Sequence, residues 1–215
     1  MMDKNIADIR KDYALKALDV KDVLKDPIKQ FETWLNEALQ CDIKEATAMN
    51  VSTVSEQGLP SSRIILLKGV TAEGFTFFTN YMSSKGRELE ANPAVALNFF
   101  WPELERQVRI QGTAAKVSEE ESTEYFQSRP KGSQIGAWCS PQSAVIEDRS
   151  LLEERQKTLT EKFSDDEVLP KPKQWGGYLV KPFLIEFWQG RPSRLHDRLL
   201  YTLQDDNWKI NRLAP

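Results

Sequence analysis

The chain has 215 residues, of which 40% are hydrophobic and 28% charged, with a formal net charge of −3, the profile of an ordinary water-soluble chain with one well-buried core. The slight acidic excess excludes a broad electrostatic footprint for nucleic acid, so any phosphate recognition depends on local clusters of cations. No apolar run approaches the ~20 residues that span a bilayer, and two cysteines (Cys41, Cys139) with one histidine (His196) rule out a disulfide framework or a His-rich metal centre.

In chain order, the start Met1-Met2-Asp3-Lys4 has neither the apolar stretch of a signal peptide nor transit-peptide character, and a cytoplasmic protein with reduced thiols is expected. Residues 3–25 mix charges with scattered apolar side chains and no strong period, which predicts a weakly specified helix or arm. Asp26-Pro27 then sets a capping residue before a proline, and Ile28, Phe31, Leu35 and Leu39 follow at helical spacing, predicting an amphipathic helix. From Ala48 the period becomes strand-like. Strands are expected at Ala48 to Ser55, Arg63 to Lys68 and Phe75 to Thr79, joined by turns at Glu56-Gln57-Gly58 and Glu73-Gly74 as an antiparallel meander.

The middle strand is the unusual one. Four consecutive aliphatic residues, Ile64-Ile65-Leu66-Leu67, read as a strand buried on both faces, yet a cation stands at each end. Positions 63 and 68 have opposite parity, so Arg63 and Lys68 are expected to leave the strand on opposite faces and to serve two anionic sites.

Ser83 to Ala91 predicts a short helix whose first turn carries Ser83, Ser84 and Lys85, a suitable place for a phosphate. Strands at Ala94 to Trp101 and Gln107 to Ala115 follow, and then a capping box at Ser118 opens a helix to Ser128. Residues 129–149 are rich in small polar groups and poor in periodicity, predicting a loop-rich binding surface. Ser150 to Phe163 reads as a charged helix, and residues 164–174 as a Pro-containing connector. Gly176-Gly177 is expected as a bend before strands at Tyr178 to Lys181, Leu184 to Gln189, Leu199 to Leu203 and Trp208 to Leu213. The pattern predicts a mainly β protein: an antiparallel barrel with peripheral helices, formed by a single domain over 26–215 after an arm or lid at 1–25.

Neither a GxGxxG fingerprint nor a P-loop is present, which counts against Rossmann-type NAD binding and NTP hydrolysis. The segment from Trp188 to Arg198 instead packs three arginines, the single histidine and a tryptophan into eleven residues. Arginine forks bind carboxylate or phosphate and stack on rings, so this stretch suits a flat anionic ligand, the alternative being a charged loop neutralised by Asp197.

Across almost its whole length the sequence resembles the pyridoxine/pyridoxamine 5'-phosphate oxidase family. The matching segments are Arg63 to Lys68, Phe78-Thr79-Asn80, Glu105 to Val108, Tyr125 to Pro130, Ser133 to Trp138, Phe187 to Gly190, Arg194 to Arg198, and Trp208 to Pro215. The resemblance implies a split β-barrel of FMN-binding type and a homodimer that holds FMN at its interface with residues of both chains. It also implies oxidation of pyridoxamine 5'-phosphate and pyridoxine 5'-phosphate to pyridoxal 5'-phosphate, with molecular oxygen reduced to hydrogen peroxide.

Carried over by position, the FMN contacts are Arg63, Ile64, Ile65, Leu66, Phe78, Thr79, Ser84, Lys85, Gln107, Gln142, Ser143, Trp188 and Arg198. Lys68, Tyr125, Arg129 and Ser133 are expected on the substrate phosphate. Arg194, Leu195 and His196 are expected at the substrate ring, Arg194 and His196 in catalytic roles, and Arg10 with Tyr13 as a pair closing over it. The chain departs from the family pattern at Ser84, where an arginine is usual, with Arg87 as a candidate replacement, and at Phe78, where tyrosine is common. An NAD(P)H-dependent flavin reductase and a non-catalytic flavin or pyridoxal phosphate carrier are the rival readings.

Overall fold

A computed structural model describes residues 12–41 and 43–215. Between residues 12 and 25 it has one short 3-10 turn, Val20–Asp22, capped by the Asp19 carboxylate, so this stretch is an arm and not a helix. The helix α1 (Pro27–Gln40) starts where predicted, with the Asp26 carboxylate accepting the amides of Ile28 and Lys29. Its inner face is Ile28, Phe31, Trp34 and Ala38, rotated from the predicted stripe, and Leu39 is 55% exposed. Trp34 accounts for the rotation: its ring packs on Phe187 and carries the Arg106 guanidinium 4.2 Å from its centroid.

The strands are β1 (Ala48–Val54), β2 (Pro60–Leu66), β3 (Gly69–Thr71), β4 (Gly74–Asn80), β5 (Ala94–Trp101), β6 (Arg106–Lys116), β7 (Trp175–Gln189), β8 (Asp197–Gln204) and β9 (Asn207–Leu213). They hydrogen-bond in the order β2-β1-β5-β6-β7-β4-β3, with β8 pairing β7 and β9 pairing β8. The predicted meander is therefore corrected. Strand β2 pairs with β1, but the chain leaves the ladder at Leu67-Lys68, and β4 pairs with β3 and β7 instead.

The reading of β2 as buried on both faces is also corrected, because Ile64 is 65% exposed and no residue of this edge strand is fully buried. Gly176-Gly177 is not a bend. Both glycines lie inside the 15-residue strand β7, opposite Thr79 and Phe78. A Cβ on Gly176 would sit 2.1 Å from the Tyr81 hydroxyl, and one on Gly177 2.7 Å from both Phe78 and Val117. We expect Gly176→Ala to lower stability by about 1–3 kcal/mol through overpacking, read as a lower urea midpoint with an unchanged slope. A neutral midpoint would show that Tyr81 moves aside freely.

Helices α2 (Ser84–Ala91), α3 (Glu119–Ser128) and α5 (Ser150–Lys162) form as predicted, α2 and α3 with Ser83 and Ser118 as their caps. The predicted loop after residue 129 is corrected by α4 (Lys131–Cys139). Its start has no side-chain cap, which explains why no helix signal was visible there.

The chain divides into two compact units. One comprises the described residues up to 49 with 97–111 and 182–215, and the other residues 50–96 and 112–181. The first has an aromatic core of Phe31, Phe99, Trp101, Phe187 and Tyr201, all 0 or 1% exposed. In the second, Phe126, Ile135, Phe163, Leu169 and Trp175 form one buried cluster. That cluster seats α3 and α4 beside the start of β7.

Candidate active site

The second unit holds a cavity of about 950 Å³. Arg63 to Leu66 and Lys68 line one part, Phe78, Thr79 and Asn80 of β4 another, and Ser84 and Lys85 enter from the start of α2. The end of α3 supplies Tyr125 and Arg129, α4 supplies Ser133, and Gln142, Ser143 and Trp175 complete the lining. Arg63 and Lys68 thus face one cavity and not opposite sides of a strand. The parity argument fails because Lys68 lies beyond the end of β2, where the two-residue period no longer applies.

The cavity has two cationic regions. In the first, Lys85 Nζ donates to Thr79 Oγ1 (3.2 Å) and Ser83 Oγ (3.1 Å), and Thr79 Oγ1 donates to Gln142 Oε1 (3.3 Å). Burial, with the nearby Arg63 charge adding to it, pushes the Lys85 amine down to about 8. Arg63 Nη2 contacts Ser61 Oγ (2.6 Å) and pairs with Glu88 at 3.3 Å, while Nη1 bonds the Thr53 hydroxyl. Glu88 feels burial raising its pKa, but hydrogen bonds from Thr53, Ser61 and Arg63 win and hold it low. Arg87 does not replace the cation missing at Ser84: it donates to the Met82 carbonyl on the exposed side.

In the second region, Lys68, Tyr125, Arg129 and Ser133 share the cavity wall. Arg129 Nη1 is buried with no hydrogen-bond partner, and its guanidinium lies 4.7 Å from the Trp175 ring centroid. Burial lowers its pKa and raises that of Tyr125, so both lack the solvation a bound anion would replace. Phe78, Tyr125 and Trp175 lie nearly parallel, Phe78 and Tyr125 with centroids 3.9 Å apart. Trp175 was not singled out in the sequence, since a tryptophan after a connector carries no spacing signal.

The other expected site residues that the structure describes lie in the first unit. Tyr13, Trp188 and His196 form one aromatic cluster, with centroids 4.6 Å apart for Trp188 and His196 and 5.8 Å for Tyr13 and Trp188. Gly190 allows this packing, because a Cβ there would meet Tyr13 at 2.7 Å. His196 Nδ1 accepts the amide of Arg191 at 3.1 Å, which leaves Nε2 to carry the proton of the neutral ring. Burial and then the Arg194 charge lower its pKa, so the neutral form prevails near pH 7.

Ser193 and Arg194 both adopt left-handed backbone (φ 57° and 62°), a strained presentation of Arg194 and the exposed Leu195. Asp197 meets the charged-loop alternative in part, neutralising Arg191 of the run. It pairs with Arg212 at 2.7 Å and Arg191 at 3.6 Å, while Arg198 is held by the buried Glu186 at 2.7 Å. Gln107 lies on β6 in this unit, partly buried, and Arg10 lies outside the described residues.

Comparison with known proteins places these observations in a family. Residues 35–162 match the family model described as pyridoxamine 5'-phosphate oxidase, and residues 175–215 match that of the pyridoxine 5'-phosphate oxidase C-terminal dimerisation region. A pyridoxine/pyridoxamine 5'-phosphate oxidase of Cytophaga hutchinsonii is 53% identical over 215 residues, covering 100% of both chains. One from Burkholderia thailandensis is 55% identical over 213 residues, 98% of this chain and 99% of the relative. Among solved structures, PhzG from Burkholderia lata in complex with tetrahydrophenazine-1-carboxylic acid superposes with a TM-score of 0.88 at 29% identity, covering 94% of this chain and 100% of that one. An FMN-binding protein of Nostoc punctiforme gives 0.70 at 17% identity, covering 88% and 98%, and shares the fold. The fold is the antiparallel split barrel with peripheral helices, and the chain belongs to the pyridoxamine 5'-phosphate oxidase family.

Proposed function

We propose that this protein is an FMN-dependent oxidase that converts pyridoxamine 5'-phosphate and pyridoxine 5'-phosphate to pyridoxal 5'-phosphate, reducing molecular oxygen to hydrogen peroxide. The observation that carries the reading is one cavity with two cationic regions, Arg63 with Lys85 and Lys68 with Arg129, enough for two phosphorylated ligands. A buried amine pushed down to about 8 and a buried guanidinium nitrogen without a partner both favour incoming anions. FMN fits the first region: Lys85, Ser84 and Arg63 would hold its phosphate, and Ile64 to Leu66, Phe78, Thr79, Gln142 and Ser143 its remainder. Once bound, FMN supplies the two-electron acceptor that no side chain provides.

In this reading Lys68, Tyr125, Arg129 and Ser133 clamp the substrate phosphate, and such positioning contributes on the order of 7 kcal/mol or more in favourable cases. His196, with its proton on Nε2, donates a hydrogen bond to a polar substituent of the substrate ring. Arg194 covers that ring, and Tyr13 closes beside it. Gln107, Trp188 and Arg198 complete the flavin contacts in a homodimer that holds the cofactor with residues of both chains, in keeping with the match to a dimerisation region. The protein works in the cytoplasm, where the free thiols of Cys41 and Cys139 persist. Among the described residues no helix is long and apolar enough to cross a membrane.

The test is to incubate the yellow protein with pyridoxamine 5'-phosphate in air and follow aldehyde and peroxide. Flavin bound without product would indicate a carrier, and oxidation of NADPH alone a flavin reductase. Arg194→Ala is expected to cut turnover about tenfold with flavin content unchanged, the loss of one transition-state contact. Flavin release by that change would assign Arg194 to the cofactor instead.

A further inference from the structure

We infer that Trp175 is a positioning residue for substrate phosphate, acting through Arg129. The inference rests on the clamp proposed above. Arg129 is a half-buried cation whose buried Nη1 has no hydrogen-bond partner, so the rings it faces hold it in place: Trp175, with its centroid 4.7 Å from the guanidinium carbon, and Phe126 at 5.7 Å. A guanidinium stacked on an aromatic face keeps its edge free, and that edge carries the fork that meets a phosphate.

Trp175 is itself fixed from several directions. Its amide donates to the Pro172 carbonyl at 3.0 Å, and its carbonyl accepts from Lys171 Nζ at 2.8 Å. The Lys171 side chain is 2% exposed and pairs with Glu119 at 2.9 Å. In the ladder Trp175 stands opposite Asn80, and its ring lies within 12° of parallel to Phe78 and within 7° of Tyr125. One indole thus sets the plane of the guanidinium and continues the stack formed by Tyr125, another expected member of the clamp. Among small changes to the cavity wall, loss of this face would let Arg129 rotate without removing any donor of Lys68, Tyr125, Arg129 or Ser133.

The test is a double-mutant cycle on the flavin-loaded protein. W175L is expected to raise KM for pyridoxamine 5'-phosphate about tenfold with kcat within about threefold of wild type, and W175F, which keeps a smaller face, to raise it less. In an Arg129→Lys background, where no planar fork remains to be oriented, the same W175L change is expected to alter KM less than about twofold. An equal factor in both backgrounds, or a fall in kcat at unchanged KM, overturns the inference. If W175L does not fold with flavin bound, the cycle is run with W175F on the same criterion. Absence of turnover in wild type would remove the oxidase reading alone. The cycle is then read from the dissociation constant of inorganic phosphate for the flavin-loaded protein, where W175L must weaken binding only when Arg129 is present.

Discussion

Arg129→Ala is expected to lower kcat/KM for pyridoxamine 5'-phosphate by on the order of 10²–10³, almost wholly through KM, while turnover of unphosphorylated pyridoxine at saturating concentration is expected to change little. Truncating one partner of a buried, charge-assisted pair costs about 2–5 kcal/mol, because the charge left behind stays desolvated and unpaired. At Arg129 the middle of that range applies. Its side chain is half-buried, the buried Nη1 has no protein partner to satisfy it, and neighbouring Tyr125 and Ser133 offer hydroxyls but no replacement charge. Lys68 remains as a point charge, which attracts a phosphate without fixing its orientation. Steady-state kinetics with the two substrates decides the matter. Equal losses with and without the phosphate group would mean that Arg129 supports the cavity wall and not the clamp.

The second large effect is expected at Lys85. In the flavin-free protein its amine titrates at about 8, pushed down by burial and then by Arg63. Below that pH the residue is protonated and meets the flavin phosphate as a cation, so FMN affinity is flat from about pH 6.5 to 8. Above it the free protein must take up a proton on binding, and affinity falls by up to tenfold per pH unit until the raised pKa of the bound state is reached. Lys85→Met is expected to weaken FMN on the order of a hundredfold at pH 7 and to abolish the alkaline fall, measured by quenching of flavin fluorescence. A retained alkaline fall in the variant would assign the titration to another group.

The sign for stability is opposite to that for binding. An unfolded lysine titrates near 10.4, so between about pH 8 and that value the unfolded chain holds more protons than the folded one. Flavin-free protein therefore gains stability as pH rises through this window, and the Met variant does not. The two pH profiles together separate Lys85 from any general alkaline denaturation.

The departure at Ser84 takes its meaning from this region. With Arg87 turned to the Met82 carbonyl, the cations of this region among the described residues are Lys85 and Arg63. Arg63 is already engaged with Glu88, Thr53 and Ser61, which fixes its direction while neutralising part of its charge. Lys85, held only by hydroxyls, is the cation with charge to spare.

Much of the architecture was legible without coordinates because its signals are local. Asp26-Pro27, Ser83 and Ser118 mark helix starts through hydrogen bonds that span two or three residues. The strands β1, β5, β6 and β8 carry their period in the same way. Helix α4 was missed for the complementary reason: it begins at Pro130 without a side-chain cap and is held by Ile135 packing into the cluster of Phe126, Phe163 and Trp175. Likewise Leu35 and Leu39 had the right spacing for a buried face, yet Trp34 took it, because a contact with Phe187 about 150 positions away outweighs a periodic pattern.

The sequence by itself determined the family and named the cations to look for, since these reside in motifs whose order along the chain is visible. Only the tertiary structure decided that Arg63 and Lys68 border one cavity, that Trp175 backs Arg129, and that Arg63 is anchored by Glu88 while Lys85 is left buried among hydroxyls. The reason is physical. Residue type and spacing specify what a side chain is able to bond, but charge pairing, desolvation and ring stacking depend on neighbours brought together by long-range packing, and a strand's parity rule ends where its ladder ends.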